Sequence, residues 1–269
     1  MADYRKIGFI GSGKMAGAII KGLVRNRIGE SIIATKAGKE GIEERSKDLG
    51  IEIILDNKEL VKNSNVIFIA VKPNQVLGVL EEIKPFVTQD KLIISIAAGV
   101  TLKKLESNLP ENTRVIRIMP NTPALIGEGI CGIVGGSNLY KYDLSIIEEW
   151  LSLIGECIVF DDEAQLDIVT AISGSGPAFF YKVMNDIARA GEKLGMDYDK
   201  ALLLSIQTAI GSAKMALNRD ISMEELIANV ATKGGCTAVG VDCMNENNTE
   251  KLFYDVIKRT TEKAHDLGK

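Results

Sequence analysis

Histidine is almost missing from this 269-residue chain, whose single copy, His265, lies on a charged segment near the end. That argues against hydrolases and dehydrogenases built around a histidine acid or base. Cysteine is scarce too. The four present (Cys131, Cys157, Cys236 and Cys243) form no CxxC pair, and one histidine cannot complete a zinc set with them, so no structural metal is expected. No apolar run approaches the roughly 20 residues that span a bilayer. The opening Met-Ala-Asp-Tyr-Arg-Lys has neither the length nor the small-residue cleavage pattern of a signal peptide. The formal charge of −4 comes without a Lys/Arg block, which argues against nucleic acid or an anionic membrane as partner. The expectation is a cytoplasmic protein with reduced thiols that works on small molecules, with 46% hydrophobic residues to build its core.

What is present is ordered along the chain. Up to about residue 160, short β-branched runs ("KIGFI", "SIIAT", "IEIIL", "NVIFIAV", "KLIISIA", "RVIRIM", "CGIVG", "ECIVF") alternate with amphipathic windows such as "MAGAIIKGLVRN" and "NQVLGVLEEIKPF". That alternation predicts an α/β fold, a mostly parallel sheet covered by helices. Beyond a boundary near 161 to 165 almost everything has a helical period, and Ser222 with Glu225 three residues on is a capping-box start. The window from Leu202 to Leu217 is apolar on most sides, so it must be covered. A second subunit is the expected cover, with the core of the same chain as the alternative.

"IGFIGSGKMAGAI" sets Gly11-Ser12-Gly13-Lys14-Met15-Ala16 between the first strand and the first helix. Gly11 allows the tight turn, Gly13 lets the backbone approach a pyrophosphate, and Ala16 lets the helix pack close to the sheet. The second strand then decides which dinucleotide is bound. A NAD site carries an acid about 20 residues after the glycines; here stand Thr35, Lys36 and Lys39, a hydroxyl and two cations that suit a 2′-phosphate. NADPH is favoured, with NADH as the alternative. Further strand ends, "AVKP", "SIAAG" and "MPNTP", put rigid or small residues at the carboxyl edge where such sheets bind ligands, and Ala97, Ala98 and Gly99 leave room for a flat ring against backbone.

Taken in order with "SGSGPAFFY" in the helical half, these motifs resemble Δ1-pyrroline-5-carboxylate reductase over nearly the whole chain. The resemblance implies an N-terminal Rossmann-type NAD(P)-binding domain (1–162) and an all-α C-terminal substrate and dimerisation domain (163–269). It implies NAD(P)H-dependent reduction of a cyclic imine acid to L-proline by a homodimer joined through the helical domain, in some cases a ring of dimers. It places the dinucleotide contacts on Ile10, Gly11, Ser12, Gly13, Lys14 and Met15, on Thr35 and Lys36, on Asn57, on Ala70, Val71, Lys72 and Pro73, on Ala97, Ala98 and Gly99, and on Asn121. Asn229, one helical turn before Thr232, is counted with them. The substrate end falls on the "SGSGP" turn, notably Ser175 and Gly176, and on "ATKGGCTAVG".

In that late stretch Gly234 and Gly235 should expose the N–H groups of Gly235, Cys236 and Thr237 at the start of a helix, an anion site scaled for a carboxylate. By the resemblance, Thr237 is the catalytic contact to the ring nitrogen and Thr232 supports the carboxylate. The family has Ser-Pro-Gly-Gly where this chain has Thr232-Lys233-Gly234-Gly235, so a looser loop is expected. The ring nitrogen is basic enough to be protonated from solution, so the shortage of histidine is no objection. Two rivals stand beside this reading. A β-hydroxyacid dehydrogenase would use a helical lysine, but Lys182 and Asn185 have KxxN spacing where that family has KxxxN. A non-catalytic NADP(H) redox sensor would have no need of the two glycine motifs in the helical half.

Overall fold

The computed structural model describes residues 4–217 and 220–268. All eight β-branched runs form strands of one sheet: β1 Lys6–Ile10, β2 Ser31–Thr35, β3 Glu52–Ile54, β4 Val66–Ile69, β5 Leu92–Ser95, β6 Arg114–Met119, β7 Gly129–Gly135 and β8 Gly155–Val159. Their order is β3-β2-β1-β4-β5-β6-β7-β8, and every pairing is parallel except β6 with β7. β4 and β5 are buried along their whole length, as continuous apolar runs between two helical layers should be.

The helices are α1 Lys14–Arg25, α2 Ile42–Leu49, α3 Asn57–Asn63, α4 Val76–Ile83, α5 Leu102–Ser107, α6 Asp143–Leu151, α7 Gln165–Val169, α8 Gly176–Lys193, α9 Tyr198–Ala216, α10 Met223–Val230, α11 Cys236–Glu246 and α12 Thr249–Gly268. Two apolar cores lie on the two faces of the sheet. One gathers Ile19, Leu23, Phe68, Ile116, Ile147 and Trp150, and the other Leu60, Ile67, Leu80, Ile93, Leu105 and Leu166. β6 sends an arginine into each face. Arg114 meets Asp143 at 2.5 Å with both side chains buried, and Arg117 meets Glu163 at 2.6 Å. "RVIRIM" is thus a core strand whose two charges are paired, which its apolar residues alone did not announce.

The chain divides into two compact units. The first runs to Ser175 and takes up the chain again from Thr260; the second is Gly176–Arg259. The last turns of α12 belong to the first unit, where His265 Nδ1 stands 3.3 Å from Asp167. In the second unit α9 starts at Asp197, whose carboxylate accepts the Lys200 N–H at 3.1 Å, and α10 starts at Ser222, whose hydroxyl accepts the Glu225 N–H at 3.1 Å. α8 and α9 pack through small residues, Gly191 against Ala201, and Tyr198 donates its hydroxyl to Asn185 at 3.0 Å. That contact leaves much of α9 bare within one chain: Leu203 is 67% exposed, Leu204 58% and Met215 66%. The apolar helix is therefore not covered by its own chain. Among the described residues no helix is long and apolar enough to cross a membrane.

Candidate active site

The order of strands reverses between β1 and β4, the switch point where open α/β sheets bind ligands beyond their carboxyl ends. Gly11 follows β1 there, and Ala70 to Pro73 follow β4. The two crossings touch: Ala70 N–H donates to the Ile10 carbonyl at 2.9 Å, and a β-carbon added to Gly11 would lie 2.7 Å from the Ala70 oxygen. With φ of +97°, Gly11 makes a turn that side-chain-bearing residues rarely adopt. Gly13 is different. A β-carbon there meets nothing within 4 Å, so its surface is open.

α1 begins at Gly13 with no side-chain cap and no acid in its first turn. The starts of α3, α5, α9 and α10, by contrast, are closed by Asp56, Thr101, Asp197 and Ser222. The free N–H groups and the positive dipole end of α1 therefore face outward and fit a pyrophosphate.

Arg45 on α2, which the sequence reading did not single out, locks this loop. Its Nε donates to the Ser12 carbonyl at 2.9 Å and its Nη2 to the Gly13 carbonyl at 2.8 Å. Asp48 holds Arg45 at 2.6 Å and Lys21 at 2.6 Å, and the Lys21 hydrogen bond, with Arg45 adding, keeps the Asp48 carboxyl below its ordinary range. Gly17 on α1 makes room for Arg45, since a β-carbon there would run into the guanidinium.

Four residues expected to contact the dinucleotide, Thr35, Asn57, Gly99 and Asn121, are engaged by the protein itself. Thr35 does not offer its hydroxyl to a 2′-phosphate. It is buried, accepts the Gly11 N–H at 3.2 Å and donates to Asn57 Oδ1 at 2.7 Å, because the end of β2 tucks beneath the loop. Asn57 in turn donates to Glu82 at 2.9 Å, so Thr35 and Asn57 support the loop from below and the outward cations are Lys36 and Lys39. Lys36 donates to the Glu40 carbonyl across its own turn. The room expected over Gly99 is filled by the chain itself, since a β-carbon there would lie 3.2 Å from the Leu267 backbone. Gly99 admits the end of α12, and beside it Ala97 is buried and Ala98 half-buried. Asn121 is buried as well and accepts the Ile130 N–H at 2.9 Å, fixing the loop between its two prolines to β7.

A π-turn at Thr170–Gly174, whose form recurs at functional sites, precedes α8, and Ser175 closes it by donating its N–H to the Thr170 carbonyl at 2.8 Å. Ser175 is half-buried and Gly176 buried.

In the second unit, Thr232 to Gly235 form a tight turn closed by Gly235 N–H to the Thr232 carbonyl at 2.9 Å, with Gly234 at φ +79°. Lys233 occupies the second position of a turn whose third residue has positive φ, the place where proline is favoured in type II turns. A proline at this position would act as a turn former, and here the turn closes without one. That closure takes one donor out of the expected anion site. Gly235 N–H is spent within the turn, leaving those of Cys236 and Thr237 at the start of α11, which has neither a side-chain cap nor a first-turn acid. Thr232 and Cys236 are exposed, Thr237 is half-buried, and Asn229 is exposed on α10. Lys182 is 70% exposed and pairs with Asp186 at 2.5 Å, while Asn185 is engaged by Tyr198, so a lysine–asparagine acid/base pair is not assembled.

Residues 163–267 match the family profile described as pyrroline-5-carboxylate reductase dimerisation, and residues 6–99 match one described as NADP oxidoreductase, coenzyme F420-dependent. A pyrroline-5-carboxylate reductase of Methanosarcina acetivorans is 38% identical over 269 residues, covering 99% of both chains. A solved structure of the reductase from Coxiella burnetii superposes with a TM-score of 0.92 at 32% identity, over 99% of this chain and all of the other. Another, from Plasmodium falciparum with NADP bound, gives 0.87 at 30% identity and full coverage of both chains.

Proposed function

The chain belongs to the pyrroline-5-carboxylate reductase family, and we propose that it reduces the cyclic imine acid Δ1-pyrroline-5-carboxylate to L-proline with NADPH, the last step of proline biosynthesis. The observation that carries this reading is that α1 and α11 both start at a glycine, with neither a side-chain cap nor an acid in the first turn. α1 at the switch point is scaled for a pyrophosphate, and α11 behind its glycine turn for a carboxylate. The bound nicotinamide supplies the hydride for the imine carbon. The ring nitrogen takes its proton from solution, so the chain's task is orientation.

In this reading Gly234 turns the chain so that the Cys236 and Thr237 N–H groups hold the carboxylate, while Thr232 and Gly235 support that turn. The Thr237 hydroxyl meets the ring nitrogen, and Ser175 and Gly176 close the substrate end. Ile10 to Met15, Ala70 to Pro73, Ala97, Ala98 and Asn229 hold the dinucleotide, with Thr35, Asn57, Gly99 and Asn121 acting through the loops they support. Lys36 meets the 2′-phosphate. Functionally the chain divides at 162/163 into a dinucleotide half and a substrate half. It is a homo-oligomer through the dimerisation domain, and the uncovered α9 face supports a dimer, with dimers joined further into a ring, working in the cytoplasm.

Following the absorbance of reduced nicotinamide with the imine acid as substrate tests the reading. Turnover with NADPH, and slower turnover with NADH, is expected; tight NADPH binding with no turnover would leave the redox sensor instead. Thr237→Val, which keeps the shape and removes the hydroxyl, should lower kcat by about 10- to 100-fold, the value of one hydrogen bond to a charged group, with the Kd for NADPH unchanged. An unchanged kcat would remove Thr237 from the reaction. Lys36→Ala should cost about 10-fold in kcat/KM with NADPH and little with NADH, and the difference should shrink in high salt. Equal losses with both cofactors would take Lys36 away from the 2′-phosphate.

A further inference from the structure

Cys131 and Cys157 are far apart in sequence and stand directly opposite each other on the parallel strands β7 and β8. Their sulfurs are 3.2 Å apart. Neighbouring strands lie about 4.8 Å apart, within the roughly 4.4–6.8 Å between α-carbons that a disulfide spans. Side-chain rotation alone can therefore bring the sulfurs to bonding distance. The two thiols differ in access: Cys131 is buried in the core beside α6, whereas Cys157 is half-buried near the edge of the sheet. The hydrogen bond from Cys131 pulls the Cys157 thiol down toward ionisation, and the same contact together with burial pushes Cys131 up.

We propose that Cys131 and Cys157 are a redox pair that a peroxide closes into a reversible intrachain disulfide clamping β8 to β7. The Cys157 thiolate attacks one oxygen of hydrogen peroxide, breaking the O–O bond to give a sulfenic acid and hydroxide. The Cys131 sulfur then attacks the Cys157 sulfur, the S–O bond breaks, and the oxygen leaves as water with the Cys131 proton. Two thiols are oxidised by two electrons and one peroxide is reduced to two waters. A dithiol reductant reverses the bond by exchange. The clamp sits beside Ile130, whose N–H is held by Asn121, so it ties the edge of the sheet to the strand that fixes the Asn121 loop. β8 is an edge strand paired on one side only, where such a bond adds most restraint.

The test uses the full chain carrying Cys236→Ser and Cys243→Ser, so that two of the four thiols remain. After limited hydrogen peroxide, thiol titration under denaturing conditions should fall from two per chain to none. The intact mass should drop by two hydrogens, non-reducing peptide mapping should join the Cys131 and Cys157 peptides, and a dithiol should restore both thiols. Adding Cys157→Ser should leave Cys131 titratable after the same treatment. Peptide mapping of the unsubstituted chain gives the same answer should that variant fold poorly. A mass gain of two oxygens on Cys157 without cross-linking, two surviving thiols, or a bond between chains would each overturn the proposal.

Discussion

Gly11→Ala is expected to raise the KM for NADPH by about 100-fold or more and to lower thermal stability as well, because two costs fall on one atom. At φ +97° an L-residue is strained, and its β-carbon would sit 2.7 Å from the Ala70 oxygen. Neither side can yield easily. Ala70 is tied to Ile10 at 2.9 Å in continuation of the β1–β4 ladder, and the Gly11 N–H is tied to the buried Thr35 hydroxyl at 3.2 Å. Beyond it, Arg45 grips the next two carbonyls at 2.9 and 2.8 Å. The loop must therefore shift as a piece, and a displacement on the order of 1 Å at a positioning group costs about 100-fold. Gly13→Ala is the matched control. It has ordinary φ and no protein neighbour within 4 Å, so it should leave the melting temperature alone and raise the KM for NADPH only. Fluorescence titration with NADPH and a melting curve for each variant separate the two; full NADPH affinity in Gly11→Ala would show that the loop does not carry the pyrophosphate.

The contrast between these two glycines marks how far the sequence could be read. Strands and their order along the chain were legible because β-branched runs such as "VIFI" have no other stable home, and the glycine loop because its spacing between strand and helix has one physical use. What a residue does within a motif was less legible. Thr35, Gly99 and Gly235 sit where the motif places them, yet each spends its hydroxyl, its missing side chain or its N–H on the protein itself. Competition for such groups is settled by what packs beneath them, which a linear pattern does not show. Arg45 was invisible for a related reason. On a helix as charged as "IEERSKDL" it reads as one more solvated cation, until the packing of α2 carries it under Ser12 and Gly13. At Lys233 the positive φ of Gly234 and the Gly235 hydrogen bond close the turn without the fixed φ of a proline.

Asp143→Ala is the substitution expected to cost most in stability, about 3–5 kcal/mol, the usual range for removing one partner of a buried ion pair. In a chain of this size that is a fall in melting temperature on the order of 10 °C. Every oxygen of Asp143 is in use. Oδ1 accepts from Arg114 at 2.5 Å and from the Tyr4 hydroxyl at 2.6 Å, and Oδ2 accepts the Tyr140 N–H at 2.6 Å. Arg114 also donates to the Asp90 carbonyl and lies 4.2 Å from the centre of the Tyr140 ring. Taking the carboxylate away leaves a guanidinium 1% exposed in the apolar core with its charge uncompensated. The double variant Arg114→Met, Asp143→Leu removes both charges and keeps most of the volume, so it should recover much of the loss, and the two changes together should be far from additive.

Alkaline pH probes the same cluster. Burial first, then the Asp143 hydrogen bond and charge, push the Tyr4 hydroxyl from 10.0 up to about 12. A group whose pKa rises on folding stabilises the fold below its unfolded value, so this contribution should be intact up to about pH 10 and fade toward pH 12. Tyr4→Phe should flatten that part of the stability curve. NADPH turnover at low temperature should be the same in every one of these variants, since the cluster holds β6 to α6 and touches neither helix start; a loss of turnover before any loss of fold would show that the Arg114–Asp143 pair acts on the site rather than on stability.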